Sequence, residues 1–154
     1  MPRLTLSADH SGKPVVHLYV GVGLAKTEAL RERGMPIPVA RPLRALVDTG
    51  ASRTVVEETH LKSLDLSPLS VEDVHTASTG AAPVKLNVYA VEITLAEAVT
   101  GTLARNLPVL AAADLSGLGV RMLLGRDVLS RVILTCNGPD REFGLSFLEE
   151  AGVA

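Results

Sequence analysis

The residues with the clearest potential for chemistry are Asp48-Thr49-Gly50-Ala51-Ser52. Leu43, Ala45, Leu46 and Val47 precede them as an apolar run interrupted only by Arg44, which reads as a strand entering a core; Val55 and Val56 begin another strand after them. A carboxylate is therefore delivered at the end of a buried strand, where Gly50 permits the tight turn that must come next. A carboxylate held in this way is a candidate for proton transfer. An isolated Asp-Thr-Gly turn is common between strands, so its weight depends on a second stretch, Met122-Leu123-Leu124-Gly125-Arg126-Asp127-Val128-Leu129. That stretch is apolar up to Gly125 and then starts a short helix.

Residues 45–52 and 123–129, in this order and at this separation, closely resemble the two signature stretches of retropepsin-like aspartic proteases, the one-domain, homodimeric relatives of pepsin. The resemblance spans residues 39–147 and implies hydrolysis of extended polypeptides. That chemistry needs two carboxylates about 3 Å apart sharing one proton. The ionised member takes a proton from a water that attacks the scissile carbonyl, and the protonated member donates to the carbonyl oxygen. The sequence has one Asp-Thr-Gly, so a pair requires a homodimer with Asp48 contributed by each chain across a two-fold axis. A bell-shaped activity profile on the acid side of neutral is expected of such a pair.

The same resemblance assigns supporting roles. Thr49 hydrogen-bonds across the axis, Gly50 brings its backbone to the substrate, and Ser52 donates to the outer oxygen of Asp48. Leu124 and Gly125 pass close behind the catalytic turn. Arg126 corresponds to an arginine that viral members pair with an acidic residue two positions after the glycine, but here Ser52 stands at that position, leaving Glu57, Glu58 or Asp127 as replacements. Ser78-Thr79-Gly80-Ala81 is expected to be the tip of a flap that closes over substrate. Dimers of this family often pair their chain termini, for which residues 4–7 and 144–148 are the candidates.

The elements that must position these groups are mostly strands. Residues 4–7 read as a short edge strand, and residues 14–23 as a strand with Val16, Leu18, Val20 and Val22 on one face. Residues 24–33 have helical composition ended by Gly34, and Pro36, Pro38 and Pro42 make the next segment extended. A short helix is expected at 57–64, strands at 71–75 and 84–95 across the small polar connector 76–83, and a further strand at 103–110. Val88, Ala90, Val91, Ile93 and Leu95 do not alternate cleanly, which predicts cover on both faces of that strand. A core strand at 120–124 leads to a helix at 126–131, then a strand at 132–136. Asn137-Gly138 marks a hairpin, and Phe143, Leu145 and Phe147 form its return. The expectation is an all-β, retropepsin-like closed barrel of short strands with one short helix after Leu-Leu-Gly and a flap hairpin. It occupies 1–154 as a single domain, with 24–38 an insertion on the outside of the barrel and 149–154 a flexible tail.

Composition agrees. The chain has 154 residues, 47% hydrophobic and 21% charged, which suits one globular domain rather than disorder or coiled coil. With 3% aromatic residues and no Trp, the core falls to Val, Leu, Ile and Ala. The formal net charge of −2 carries no basic footprint for nucleic acid. No apolar run approaches the roughly 20 residues of a membrane span, and the first residues lack a signal-like apolar region, so a soluble cytoplasmic protein without a membrane partner is expected. Cys136 reads as a small buried hydrophobe, and Glu57-Glu58 as a solvated helix start. His10, His17, His60 and His75 have no metal-ligand spacing, and neither a metal nor a cofactor is expected. Gly21-Val22-Gly23 lacks the third glycine of a dinucleotide loop, and no nucleophile elbow occurs. The rival to an endopeptidase is a non-catalytic retropepsin-fold module for peptide binding or assembly.

Overall fold

The computed structural model describes residues 3–75, 82–96 and 101–147. In chain order its elements are β1 (Arg3–Ala8), β2 (Pro14–Val22), α1 (Leu24–Glu32), β3 (Arg41–Val47), β4 (Val55–Glu57), α2 (Glu58–Ser63) and β5 (Ser70–Val74). They continue with β6 (Val84–Leu95), β7 (Thr102–Ala112), β8 (Met122–Leu124), α3 (Arg126–Leu129), β9 (Val132–Asn137) and β10 (Glu142–Phe147). A single 3-10 turn, Ser116–Leu118, precedes β8.

β2 is the strand on which closure depends. It pairs antiparallel with β3 along Val15–Val20 and, further along, with β6 through Leu18–Val22. The order β6-β7-β4-β8-β3-β2 therefore returns to β6 and closes a barrel, with β5 appended on one side and β1, β10 and β9 on the other. Closure removes the edges that strands of Val and Leu would otherwise expose. Val16, Leu18 and Val20 from β2, Val91 and Ile93 from β6, and Met122 and Leu124 from β8 fill the interior, together with Tyr89, which is more deeply buried than the other core aromatic, Phe147. In β6 only Val88 and Tyr89 are buried in succession; beyond them buried Val91, Ile93 and Leu95 alternate with half-buried Ala90, Glu92 and Thr94, so the second face is covered in part, and the register against β7 is irregular near Val91 and Ile93.

Three expectations are corrected. Residues 4–7 are not an edge: β1 pairs with β10 through Arg3–Leu6 and with β2 through Ser7 and Ala8. The segments proposed to pair between chains, 4–7 and the part of 144–148 within the described residues, are thus paired to one another inside one chain. Cys136 is exposed rather than buried, because β9 has β10 as its one neighbour and its outer face meets solvent. The β9–β10 hairpin forms as expected, with Asn137 Nδ2 donating to Asp140 Oδ2 at 2.7 Å and Arg141 in the left-handed region at φ 53°.

α1 lies on the outer surface with no buried residue, held by Lys26 Nζ donating to the Asp65 carbonyl at 2.6 Å. Residues 149–154 fall outside the described residues. No helix among the described residues is long and apolar enough to cross a membrane.

Candidate active site

The site begins with the parallel pairing of β3 and β8, which sets Val47 beside Leu124 at the ends of both strands. The chain leaves β3 through Asp48 and leaves β8 through Gly125, so the two motifs emerge side by side. Asp48 N–H donates to the Leu124 carbonyl at 3.0 Å, and Arg126 N–H donates to the Ala51 carbonyl at 2.9 Å. Within the turn, Gly50 N–H donates to Asp48 Oδ1 at 2.9 Å and Ala51 N–H to the Asp48 carbonyl at 3.2 Å. One carboxylate oxygen is thereby fixed in orientation. Among the described residues the other, Oδ2, accepts no hydrogen bond. Asp48 is half-buried, while Thr49, Gly50 and Ser52 are exposed at the surface of the single chain.

Gly125 is required by proximity. A Cβ there would lie 2.5 Å from the Arg53 carbonyl carbon, 2.6 Å from its oxygen and 2.9 Å from Thr54 N. Its φ of −91° is open to any residue, so the constraint is the backbone passing behind it. Leu124, fully buried, anchors the same strand in the core.

The strongest clamp on the loop was not among the expected site residues. Thr54 is wholly buried; its N–H donates to Asp127 Oδ2 at 2.9 Å and its hydroxyl to Asp127 Oδ1 at 2.7 Å. Thr54 Oγ1 in turn accepts from Gly125 N–H at 3.1 Å, and its carbonyl accepts from Leu110 N–H at 3.1 Å. A threonine at the junction of the Asp-Thr-Gly loop with an apolar strand, and an aspartate in the first turn of so short a helix, were the available signals.

Arg126 finds a partner in the loop itself, donating from Nη1 to the Thr49 carbonyl at 2.8 Å. None of the three acidic replacements serves it. Asp127 holds Thr54, Glu57 Oε1 accepts from Leu115 N–H at 2.9 Å, and Glu58 Oε2 accepts from Asn87 at 2.8 Å and Tyr89 at 3.1 Å. Glu57 and Glu58 are therefore not a solvated helix start, because α2 packs against the barrel and turns both carboxylates inward. The Asn87 amide, with the Tyr89 hydroxyl and Lys62, holds the Glu58 carboxyl below its usual range. Burial pushes the Tyr89 hydroxyl up, and Glu58 adds to it. Ser52 makes no hydrogen bond through its side chain among the described residues.

Arg53 extends the loop's contacts to the β5–β6 hairpin, pairing with Glu72 on β5 and donating to the Pro108 carbonyl at 3.4 Å. The hairpin stem runs from Ser70↔Val88 to Val74↔Val84. Its expected tip, Ser78, Thr79, Gly80 and Ala81, lies outside the described residues. Among the described residues no group of acidic, histidine or cysteine side chains could hold a metal ion.

Residues 40–131 match the family described as gag-polyprotein putative aspartyl protease, a span that contains both motifs. Among solved structures, the crystal structure of a retropepsin-like aspartic protease from Rickettsia conorii superposes with a TM-score of 0.60 at 14% identity, covering 95% of this chain and 91% of that one. The fold is therefore retropepsin-like. No curated protein matches the sequence.

Proposed function

Because the chain belongs to the gag-polyprotein aspartyl protease family, we propose that it is an aspartic endopeptidase in which Asp48 of two copies forms the catalytic pair. The observation that carries this reading is the seating of the Asp48 turn on the second motif, whose Gly125 lies against the Arg53 and Thr54 backbone closer than any side chain would allow. Such a turn is held from behind by Leu124, Gly125, Thr54 and Arg126, while Thr49 and Gly50 are left at the surface. A carboxylate prepared in this way on a rigid base is what a two-fold related partner would complete.

In the dimer the two Asp48 carboxylates share one proton, since like charges at that distance cannot both ionise. The ionised one removes a proton from a water between them as that water attacks the peptide carbonyl. The protonated one donates to the carbonyl oxygen, and collapse of the tetrahedral intermediate expels the amine. Thr49 faces the two-fold axis and stiffens both turns. Gly50 accepts from substrate backbone, and the hairpin tip at residues 78–81 covers the extended peptide. The enzyme acts as a single domain and requires no cofactor.

The test is cleavage of a mixed peptide pool by the protein and by Asp48→Asn, from acid to neutral pH, read by mass spectrometry alongside sedimentation in the same buffer. Cleavage by the parent dimer and none by the variant is the expected result. A parent that dimerises yet cuts nothing, or a variant that cuts as well as the parent, overturns the reading.

A further inference from the structure

At the end of the barrel away from Asp48, the strands that build the site converge on a cavity of about 890 Å³. β3 starts there with Arg41 and Arg44, β8 enters from Arg121, and β4 leaves the loop to end there at Glu57. The backbones interlock: Arg121 N–H donates to the Arg44 carbonyl at 3.1 Å, and Glu57 N–H donates to the Arg121 carbonyl at 3.0 Å. This bonding fixes the main chain that presents Arg44 and Arg121, while Arg41 is held in the β2–β3 ladder opposite Val20.

The side chains are a different matter. Arg41, Arg44 and Arg121 are exposed, and among the described residues none of their guanidiniums meets a carboxylate or carbonyl. Two acids line the same cavity, but both are engaged by backbone amides. Glu57 Oε1 accepts from Leu115 N–H at 2.9 Å, and Asp114 Oδ1 accepts from Ser116 N–H at 2.8 Å. Burial holds the neighbouring His60 imidazole below its usual range, and the positive charges of Arg41 and Arg121 act in the same direction against the opposing effects of the Val20 carbonyl and Glu57. Three guanidiniums thus stand against two acids, with no arginine of the cavity neutralised by contact among the described residues.

Guanidinium forks match the oxygens of phosphates and carboxylates two at a time, and a cavity of several hundred Å³ accommodates a small molecule. We propose that this cavity binds a small anion carrying two or more oxyanion groups, phosphate or carboxylate. Leu43, Pro42 and Val120 supply apolar wall for the remainder of the ligand.

The test is thermal unfolding of the full chain in sodium pyrophosphate and, separately, sodium citrate, with sodium chloride holding ionic strength constant. The parent should show a rise in Tm that grows with the logarithm of anion concentration and reaches about 5 °C or more at about 100 times the Kd. The rise should vanish in the double variant Arg44→Gln/Arg121→Gln and persist in Arg105→Gln, which removes an exposed cation of β7 outside the cavity. Amide chemical shifts recorded on the parent alone should move around residues 41–44 and 119–121, so the result does not depend on the variant folding. A response to pyrophosphate alone identifies the natural anion as a phosphate, and one to citrate alone as a carboxylate. No rise beyond that in chloride, an equal rise in the double variant, or shifts centred elsewhere overturns the proposal.

Discussion

Replacing Thr54 by Val tests whether the buried clamp, rather than the turn sequence itself, holds the Asp48 loop. Valine keeps the shape and the Thr54 N–H donation to Asp127 Oδ2, and removes only what the hydroxyl does. Two bonds disappear, the 2.7 Å donation to Asp127 Oδ1 and the 3.1 Å acceptance from Gly125 N–H. A hydrogen bond to a charged group contributes about 1.5–3 kcal/mol, and a buried N–H left without an acceptor costs about 1–3 kcal/mol. Their sum, about 2.5–6 kcal/mol, corresponds to a fall in Tm of roughly 5–24 °C for a chain of this size. Thr54→Ser keeps the hydroxyl and loses one methyl, for about 1 kcal/mol. Thermal melts of the parent and both variants by circular dichroism decide it. If Thr54→Val melts within about 3 °C of the parent, or Thr54→Ser melts as low as Thr54→Val, the hydroxyl is not the clamp.

Gly125→Ala should destabilise by about 1–3 kcal/mol or more and depress peptide cleavage, because its Cβ would press on Arg53 and Thr54 backbone rather than on a movable side chain; an unchanged melt and rate would contradict the close approach. Arg126→Gln should lower kcat with a smaller effect on Tm, since it removes an exposed donor from the Thr49 carbonyl and nothing from the core; steady-state kinetics on a defined peptide, compared with the melt, separates the two. Glu58 has its carboxyl held below the ordinary value of 4.5, so its stabilisation is present above that value and is lost as pH falls through the lowered one. Urea titrations should therefore find Glu58→Gln less stable than the parent near neutrality, with the gap closing below pH 4.5; a gap that stays constant with pH refutes the linkage.

Most strands were legible because their composition and periodicity are strong. Residues 84–95 and 132–147 read as strands from their apolar content and turn punctuation, and the two motifs located the site because they pair an apolar run with a glycine. What periodicity cannot convey is where a sheet ends. Residues 132–136 look like a buried strand, yet the barrel closes without them, so Cys136 faces solvent. Residues 4–7 look like an edge and lie between two partners. The same limit hid Thr54 and Asp127, which are distant in sequence and meet only because β4 lies antiparallel to β8. Glu57 and Glu58 resemble a solvated helix start until α2 is packed on the barrel, where their acceptors meet Leu115, Asn87 and Tyr89.

The departure at Ser52 illustrates how one loop can be secured by another means. Where an acidic residue is missing, a guanidinium needs some other acceptor, and the nearest suitable one is a backbone carbonyl of the turn it supports. Arg126 takes the Thr49 carbonyl, while its own N–H holds the Ala51 carbonyl, so both sides of the Asp48 turn are tied to the start of α3. Asp127, the next residue, binds Thr54 at the far end of the same loop. Two consecutive residues of one short helix thus fix the entrance and exit of the loop within a single chain. A loop held this way keeps its shape before any partner arrives, which lowers the ordering cost of dimerisation. On the proposed dimeric reading, the monomer would be inactive for want of a second carboxylate, and not because its turn is unformed. Dilution should then reduce specific activity in step with the loss of dimer measured by sedimentation, while far-ultraviolet circular dichroism stays constant; a loss of β signal in parallel with activity would show that the turn needs its partner to form.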